Sequence, residues 1–380
     1  MRIGLILPGF SASEEDWCIP TILNLIRELA RYHEIYVFTL RYPHFSGGYQ
    51  VYGAKVQAFG GGVTAGLHRF PLLGRALAQI MSQARRRPFD MFHGLWADEP
   101  GFLAATAGRL LGRPTVVSLL GGELVGLPDI GYGHQLSRIN RRLIQIALRG
   151  AVWITTGSTY IHRLAQLHVS ADRLISIPLG VDLELFHPEA NPIHHLPLVE
   201  GEFKLLHVAS LAPVKDQATL LHAFALVARQ IPQSHLHIVG EGGLWSHLKG
   251  LARALGIRDY VTFHGAAPHD HLPAYYCAAD LCVLSSRHES QAMVTLEAAA
   301  CARVTVGTAV GILPDLGPAG RTTPVGDAPA LAEAIMDLVG NPTQRVELGH
   351  LARGLVEAKY SLGHTVETLL ALYADLARGE

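Results

Sequence analysis

Short runs of consecutive apolar residues, each followed by a stretch of helical periodicity, recur along almost the whole chain and restrict its fold more than any other feature. The opening RIGLILPG leads through a loop to IPTILNLIRELARYHE, where Leu23, Ile26, Leu29 and Ala30 share one helical face. Then come IYVFTL (35–40), DMFHGL (90–95), TVVSLL (115–120) and AVWITT (151–156), with helical patterns between them. Runs without polar alternation suit strands buried on both faces, and strand–helix alternation of this kind builds a parallel, doubly wound sheet. A second series follows: KLLHVA (204–209), HLHIVG (235–240), YVTFHG (260–265), DLCVLSS (280–286) and RVTVG (303–307), with a helix expected from Gln217 to Arg229. Between the series, Pro178, Pro188, Pro192 and Pro197 punctuate residues 178–200, which read as a linker. The expectation is α/β: two Rossmann-like domains, 1–185 and 186–362, facing each other across a cleft where strand C-terminal ends converge. Helical patterns at 328–340 and 363–378 close the chain.

The composition, 49% hydrophobic and 17% charged with 39 Gly and 21 Pro, suits a globular protein with many tight turns. Residues 1–185 hold 18 Lys and Arg against 13 Asp and Glu, whereas residues 186–380 hold 13 against 19. A mildly basic first half suits an anionic partner, a lipid surface or an acidic acceptor, and is too weak for nucleic acid. The four cysteines form no C-x-x-C pair and no zinc-like spacing with histidines, so they read as core thiols in a reducing compartment. IGLIL is too short for a secretory signal, and no uncharged apolar stretch of about 20 residues occurs, which makes a cytoplasmic location the expectation. The segment FPLLGRALAQIMSQARRR (70–87) places Leu73, Leu77 and Ile80 at helical spacing before three arginines. It reads either as a helix lying on the inner face of an anionic membrane or as a core-packed helix with a solvated basic end.

Three segments of the second half carry chemistry. In ASLAPVKDQATLLHAF (209–224), a strand ends, Ser210 and Lys215 occupy the loop, and Asp216 is placed to cap a helix. A lysine beside a helix N-terminus suits a diphosphate, although a solvated loop lysine has the same sequence signature. In IVGEGG (238–243), Gly240 and Gly242 let backbone approach a base or ribose closely, without the full dinucleotide-binding spacing. The third, SSRHESQAMVTLEAAAC (285–301), sets Glu289 and Glu297 on either side of a short apolar run. A helix starting near Ser290 would turn the free N–H groups around Ser290, Gln291, Ala292 and Met293 toward a ligand. Eight helical residues rise about 12 Å, comparable to the separation of the two sugar rings of a nucleotide-sugar. Glu289 would then hold sugar hydroxyls and Glu297 the ribose diol; the plainer reading is a solvated loop acid and a helix-terminal charge. His93, at the end of a strand in FHGLW, either reaches the cleft or is a satisfied structural histidine, and His264 in YVTFHG is counted with the substrate-binding residues.

Taken together, the chain resembles the family 4 retaining glycosyltransferases of the GT-B fold over nearly its whole length. The E-x7-E motif of that family is met by Glu289 and Glu297, and its G-R-L-x-x-x-K-G segment by Ala209-Ser210-Leu211 through Lys215-Asp216. Its P-N-G-V-D-x-x-x-F segment is PLGVDLELF (178–186), and YSLGHTVETLLALY (360–373) resembles the helix that crosses back onto the N-terminal domain, expected here as 363–380. The departures are specific. Ser210 replaces the family Arg, ESQA (289–292) replaces E-G-F-G, and SLLGGE (118–123) keeps Gly121 and Gly122 but has Leu120 in place of His. Of the Gly-Gly loop after the first strand, PGFSASEEDW (8–17) keeps Gly9. The resemblance implies transfer of a sugar from a nucleotide-diphosphate donor to an acceptor held by the N-terminal domain, with retention of configuration and without metal or cofactor. It favours a UDP-sugar, with GDP-mannose second, and leaves the acceptor unidentified, anionic or lipid-linked partners suiting the charge. Lys215 and the helix N-terminus would carry the leaving diphosphate while Glu289 orients the sugar. Leu120 and Ser210 also raise a second expectation, a catalytically weak nucleotide-sugar-binding or regulatory protein.

Overall fold

The computed structural model describes residues 1–63, 66–190 and 203–378, so Pro192 and Pro197 of the expected linker lie outside the described residues. Two compact α/β units emerge. The first takes residues 1–157, 161–179 and 362 onward, and the second takes 158–160 and 180–361.

The first unit is built on eight strands: β1 (Arg2–Gly9), β2 (Glu34–Tyr42), β3 (Ser46–Val51), β4 (Ala54–Phe59), β5 (Met91–Leu95), β6 (Thr115–Leu119), β7 (Trp153–Thr156) and β8 (Leu174–Ser176). They lie in the order β3-β4-β2-β1-β5-β6-β7-β8, parallel except for β3 against β4. That hairpin was not legible in the sequence. SGGYQV has two glycines where a strand is expected to be β-branched, and its turn, Tyr52-Gly53, takes positive φ at both positions as a tight hairpin requires. On one face of the sheet, Leu23 and Ile26 of the helix Pro20–Leu29 share a core with Leu369, Leu372 and Tyr373 of the C-terminal helix Leu362–Arg378. On the other face, Leu72, Leu73, Ala76 and Ile80 of the helix Phe70–Arg86 are buried in a core with Phe38, Phe89 and Phe92. This corrects the membrane reading of residues 70–87: the apolar stripe that would have entered lipid is already spent on the sheet.

The second unit has six strands, all parallel: β9 (Phe203–Val208), β10 (Ser234–Val239), β11 (Val261–Gly265), β12 (Leu281–Leu284), β13 (Thr305–Thr308) and β14 (Gly320–Thr323), ordered β11-β10-β9-β12-β13-β14. The helices Gln217–Gln230 and Ala328–Gly340 cover one face through Leu220, Phe224, Leu331 and Ile335. Tyr276, Leu296, Ile312 and Val356 fill the other. The expected boundary at 185/186 lies at Leu179/Gly180 instead. Val181 and Phe186 are buried in the second core, and the Val181 N–H donates to the Tyr360 carbonyl at 2.9 Å. In the first unit, Thr365 Oγ1 donates to the Pro178 carbonyl at 2.8 Å, which anchors the start of the returning helix. Among the described residues, no helix is long and apolar enough to cross a membrane.

Candidate functional site

Among the parallel strands of each sheet the order reverses once, between β1 and β5 in the first unit and between β9 and β12 in the second. Ligands of open α/β sheets bind outside the C-terminal strand ends at such switch points. Of the sequence candidates of the second unit, Lys215 follows β9 and Glu289 follows β12, the two strands that flank its switch point, whereas Gly240 and Gly242 follow β10 and His264 lies on the edge strand β11.

After β9 the chain makes a short turn, Pro213–Lys215, and Asp216 caps the helix Gln217–Gln230 by accepting from the Thr219 N–H at 3.3 Å. The cap expected at Asp216 is therefore formed, from a left-handed backbone with φ 48°. The loop after β12 is bound to this turn: Ser285 Oγ donates to the Lys215 carbonyl at 2.8 Å and the Arg287 N–H to the Val214 carbonyl at 2.8 Å. These contacts bring Lys215 Nζ to 2.5 Å from Glu289 Oε1, which also accepts from Ser286 Oγ at 2.6 Å. Ser285 and Ser286 are fully buried and went unnoticed in the sequence, where two polar residues ending an apolar strand were the available signal. Ser210 is exposed, and its carbonyl accepts from Gln217 Nε2 at 3.0 Å.

The helix expected from Ser290 begins at Met293. A residue that starts a helix must offer its carbonyl four positions ahead. The Ser290 carbonyl instead accepts from Ser158 Oγ and the Gln291 carbonyl from the Ile312 N–H at 2.7 Å. Ala292 turns the chain with φ 66° before the helix Met293–Ala300. Three of the seven residues between the two glutamates, 290–292, are therefore loop, and the separation expected of an unbroken helix does not apply. Glu297 is buried, accepting from the Tyr276 hydroxyl at 2.8 Å, with His269 Nε2 at 3.3 Å from its other oxygen.

Gly240 and Gly242 also differ from expectation. A Cβ at Gly240, which has φ 140°, would sit 1.9 Å from the Ala209 carbonyl oxygen, and one at Gly242 would sit 2.4 Å from that of Leu211. The close approach is to the chain's own backbone, where the loops after β9 and β10 pack together. His264 is half-buried, with Nε2 at 3.0 Å from His237 Nδ1.

In the first unit, Gly9 ends β1, while Gly121 and Gly122 follow β6. Glu123, fully buried, folds back to accept from the N–H groups of Leu120 (3.0 Å), Gly121 (2.7 Å) and Ala97 (3.3 Å). The Gly122 carbonyl accepts from the His134 N–H at 2.9 Å, and His134 Nδ1 lies 3.6 Å from Asp98 Oδ2. Burial pushes the Asp98 carboxyl up to about 6, against the pull of His134. This imidazole–carboxylate pair was missed because 36 positions separate two residues without a shared motif.

Of the two readings of His93, the structure takes the satisfied structural histidine and removes it from the substrate-binding candidates. It is buried, with Nδ1 at 2.7 Å from the Tyr373 hydroxyl and Nε2 at 2.8 Å from Ser118 Oγ, so both ring nitrogens are used inside the core. Burial lowers the His93 pKa to about 3, and similarly lowers His207 to about 4 and His237 to about 3. In the unfolded chain these groups protonate near 6.5. Their contribution to stability is therefore complete above pH 6.5 and is lost as pH falls toward 4, where the unfolded chain takes up protons that the fold refuses. Thermal melts are expected to show a steep fall across that window, with a limiting slope of about 4 kcal/mol per pH unit for the three groups together. His93→Gln should flatten the slope by roughly a third; an unchanged profile would mean that His93 protonates in the fold.

Residues 21–185 match the family model described as Glycosyltransferase Family 4, and residues 202–341 match the one described as Glycosyl transferases group 1. The chain is 27% identical over 305 residues to the GDP-mannose-dependent alpha-(1-6)-phosphatidylinositol monomannoside mannosyltransferase of Mycobacterium tuberculosis, which covers 75% of this chain and 74% of that one. Sucrose-phosphate synthase from Thermosynechococcus elongatus superposes over 100% of both chains with a TM-score of 0.84 at 22% identity. Anabaena HepE, solved with UDP-glucose, superposes over 99% of this chain and 100% of its own with a TM-score of 0.75 at 18% identity. With both halves matched and the fold shared end to end, the chain belongs to the family 4 glycosyltransferases, enzymes of the GT-B fold that take their sugar from a nucleotide-sugar donor.

Proposed function

We propose that the chain transfers a hexosyl group with retention of configuration and without a metal ion, from a UDP-sugar in the first instance and GDP-mannose in the second, to an acceptor held by the first unit. The observation that carries this reading is the Lys215–Glu289 pair, one ammonium and one carboxylate in contact at the switch point of the second sheet. In this reading the donor diphosphate takes over the lysine and the sugar hydroxyls take over the glutamate. Each group exchanges one charge-assisted hydrogen bond for another, so donor binding strands neither. As the donor C1–O bond breaks, charge gathers on the leaving diphosphate, and Lys215 meets it together with the N–H groups at the start of the helix Met293–Ala300. Glu297 keeps acceptor capacity for a ribose diol beyond its bonds to Tyr276 and His269, since each carboxylate oxygen accepts twice. The dependence of the M. tuberculosis relative on GDP-mannose is what keeps that donor in view.

Thermal shifts with UDP, GDP, ADP and dTDP test the donor. The preferred diphosphate at a hundredfold excess over its Kd is expected to add about 2.7 kcal/mol. Hydrolysis of UDP-glucose and GDP-mannose without acceptor then tests turnover, and the rate in EDTA is expected to equal the rate without it. A shift without any hydrolysis would instead fit a regulatory binding protein, and no shift with any base would sink the donor site. Loss of turnover in EDTA would overturn metal independence.

A further inference from the structure

At the N-terminal edge of β6 and β7, away from the strand ends that carry Gly9, Gly121 and Gly122, the first unit has a surface depression of about 940 Å³. Leu110, Ile146 and Val152 line it, and they are 59%, 46% and 45% exposed. Arg109, Arg113 and Arg149 line it too, all exposed, and no carboxylate does. The helix Arg138–Gly150 extends the basic surface through exposed Arg138, Arg141 and Arg142. The one acid of this helix and the helix Glu99–Leu111 is Glu99, which is buried and paired with Arg41. Among the described residues, none of the six arginines is in an ion pair.

Ordinary helix electrostatics does not account for them. Arg138 and Arg141 stand in the first turn of their helix, where the macrodipole disfavours a cation. At its other end Arg173 already donates to the Leu148 carbonyl at 2.6 Å, so Arg149 is not needed to satisfy that carbonyl. A second copy of the chain is a poor occupant, because a two-fold contact would set arginines against arginines. Exposed aliphatic tips ringed by unpaired arginines fit a phosphate plane lying over an acyl layer.

We propose that this face rests on an anionic lipid bilayer, with the arginines on lipid phosphates and Leu110, Ile146 and Val152 at the acyl boundary. It accounts for six of the 18 cations of residues 1–185. The proposal is tested without turnover, so its failure leaves the glycosyl-transfer reading untouched.

Flotation of the full chain with phosphatidylcholine vesicles, with and without phosphatidylglycerol, reads the partition directly. At about 0.1 M salt the chain is expected to float with the anionic vesicles and not the neutral ones, and to be released at high salt. Arg109→Ala, Arg113→Ala and Arg149→Ala together are expected to lower partition roughly fivefold per arginine, on the order of a hundredfold in all. Leu110→Ser with Ile146→Ser should lower it as well, which charge alone would not do. Unchanged melting temperatures would show that these surface variants fold. The proposal is overturned if the wild type does not float, if the triple variant floats equally well, or if binding is lost only when Arg85, Arg86 and Arg87 are replaced. A concentration-dependent dimer, made monomeric by Leu110→Ser with Ile146→Ser, would also overturn it by making the face a contact between copies.

Discussion

Lys215→Ala is expected to weaken nucleoside-diphosphate binding by about 1.5–3 kcal/mol, roughly ten- to hundredfold in Kd. Two features push toward the upper end. Ser210 stands where the family places an arginine, so one cation fewer shares the phosphate charge. Removing the ammonium also leaves Glu289 with Ser286 Oγ and without its ion-pair partner, and an uncompensated carboxylate repels the incoming diphosphate. The double variant Lys215→Ala, Glu289→Gln should therefore recover part of the loss, a coupling that calorimetry on the four proteins measures directly. Unchanged affinity in Lys215→Ala would remove the lysine from the donor site. Equal losses in the single and double variants would leave the lysine there and dissolve its coupling to Glu289.

The two glutamates should separate sharply. Glu289→Gln is expected to leave the affinity for free diphosphate nearly intact and to lower turnover by about a hundredfold or more, because its contact with the sugar strengthens as charge develops at the anomeric carbon. Glu297→Gln is expected to weaken free nucleotide and nucleotide-sugar alike, since it would touch the ribose they share. The structure adds a second effect for Glu297: its buried carboxylate receives the Tyr276 hydroxyl, so an amide there costs about 1–3 kcal/mol of stability. Urea denaturation reads that cost, and calorimetry with single-turnover rates reads the rest. Small and equal effects of both substitutions on affinity and rate would mean that neither glutamate meets the donor.

The strand-and-helix plan, the Asp216 cap and the placement of Lys215 and Glu289 at strand ends were all readable, because each follows from patterns within a few residues. The apolar runs at 3–7 and 281–284 have no polar alternation, and two-sided burial in a parallel sheet accommodates such runs. The β3–β4 hairpin escaped because its turn depends on backbone angles that Tyr52 rarely adopts. The first turn of the Glu297 helix escaped for another reason: Ser158 and Ile312, far away in the chain, claim the carbonyls that would have begun it.

His93, the helix of residues 70–87 and the pair Asp98–His134 mark the same boundary. By itself the sequence determined the two-series architecture, its class of fold, and the polar residues Lys215 and Glu289 that follow two of the strands, since periodicity and turn chemistry act locally. Only the tertiary structure decided which residues remain free to meet a substrate. His93 faces Tyr373, 280 positions away, and the stripe at Leu73 and Ile80 faces Phe38 and Phe92. A side chain's partners and its access to water come from segments brought together by folding, and no local pattern encodes them.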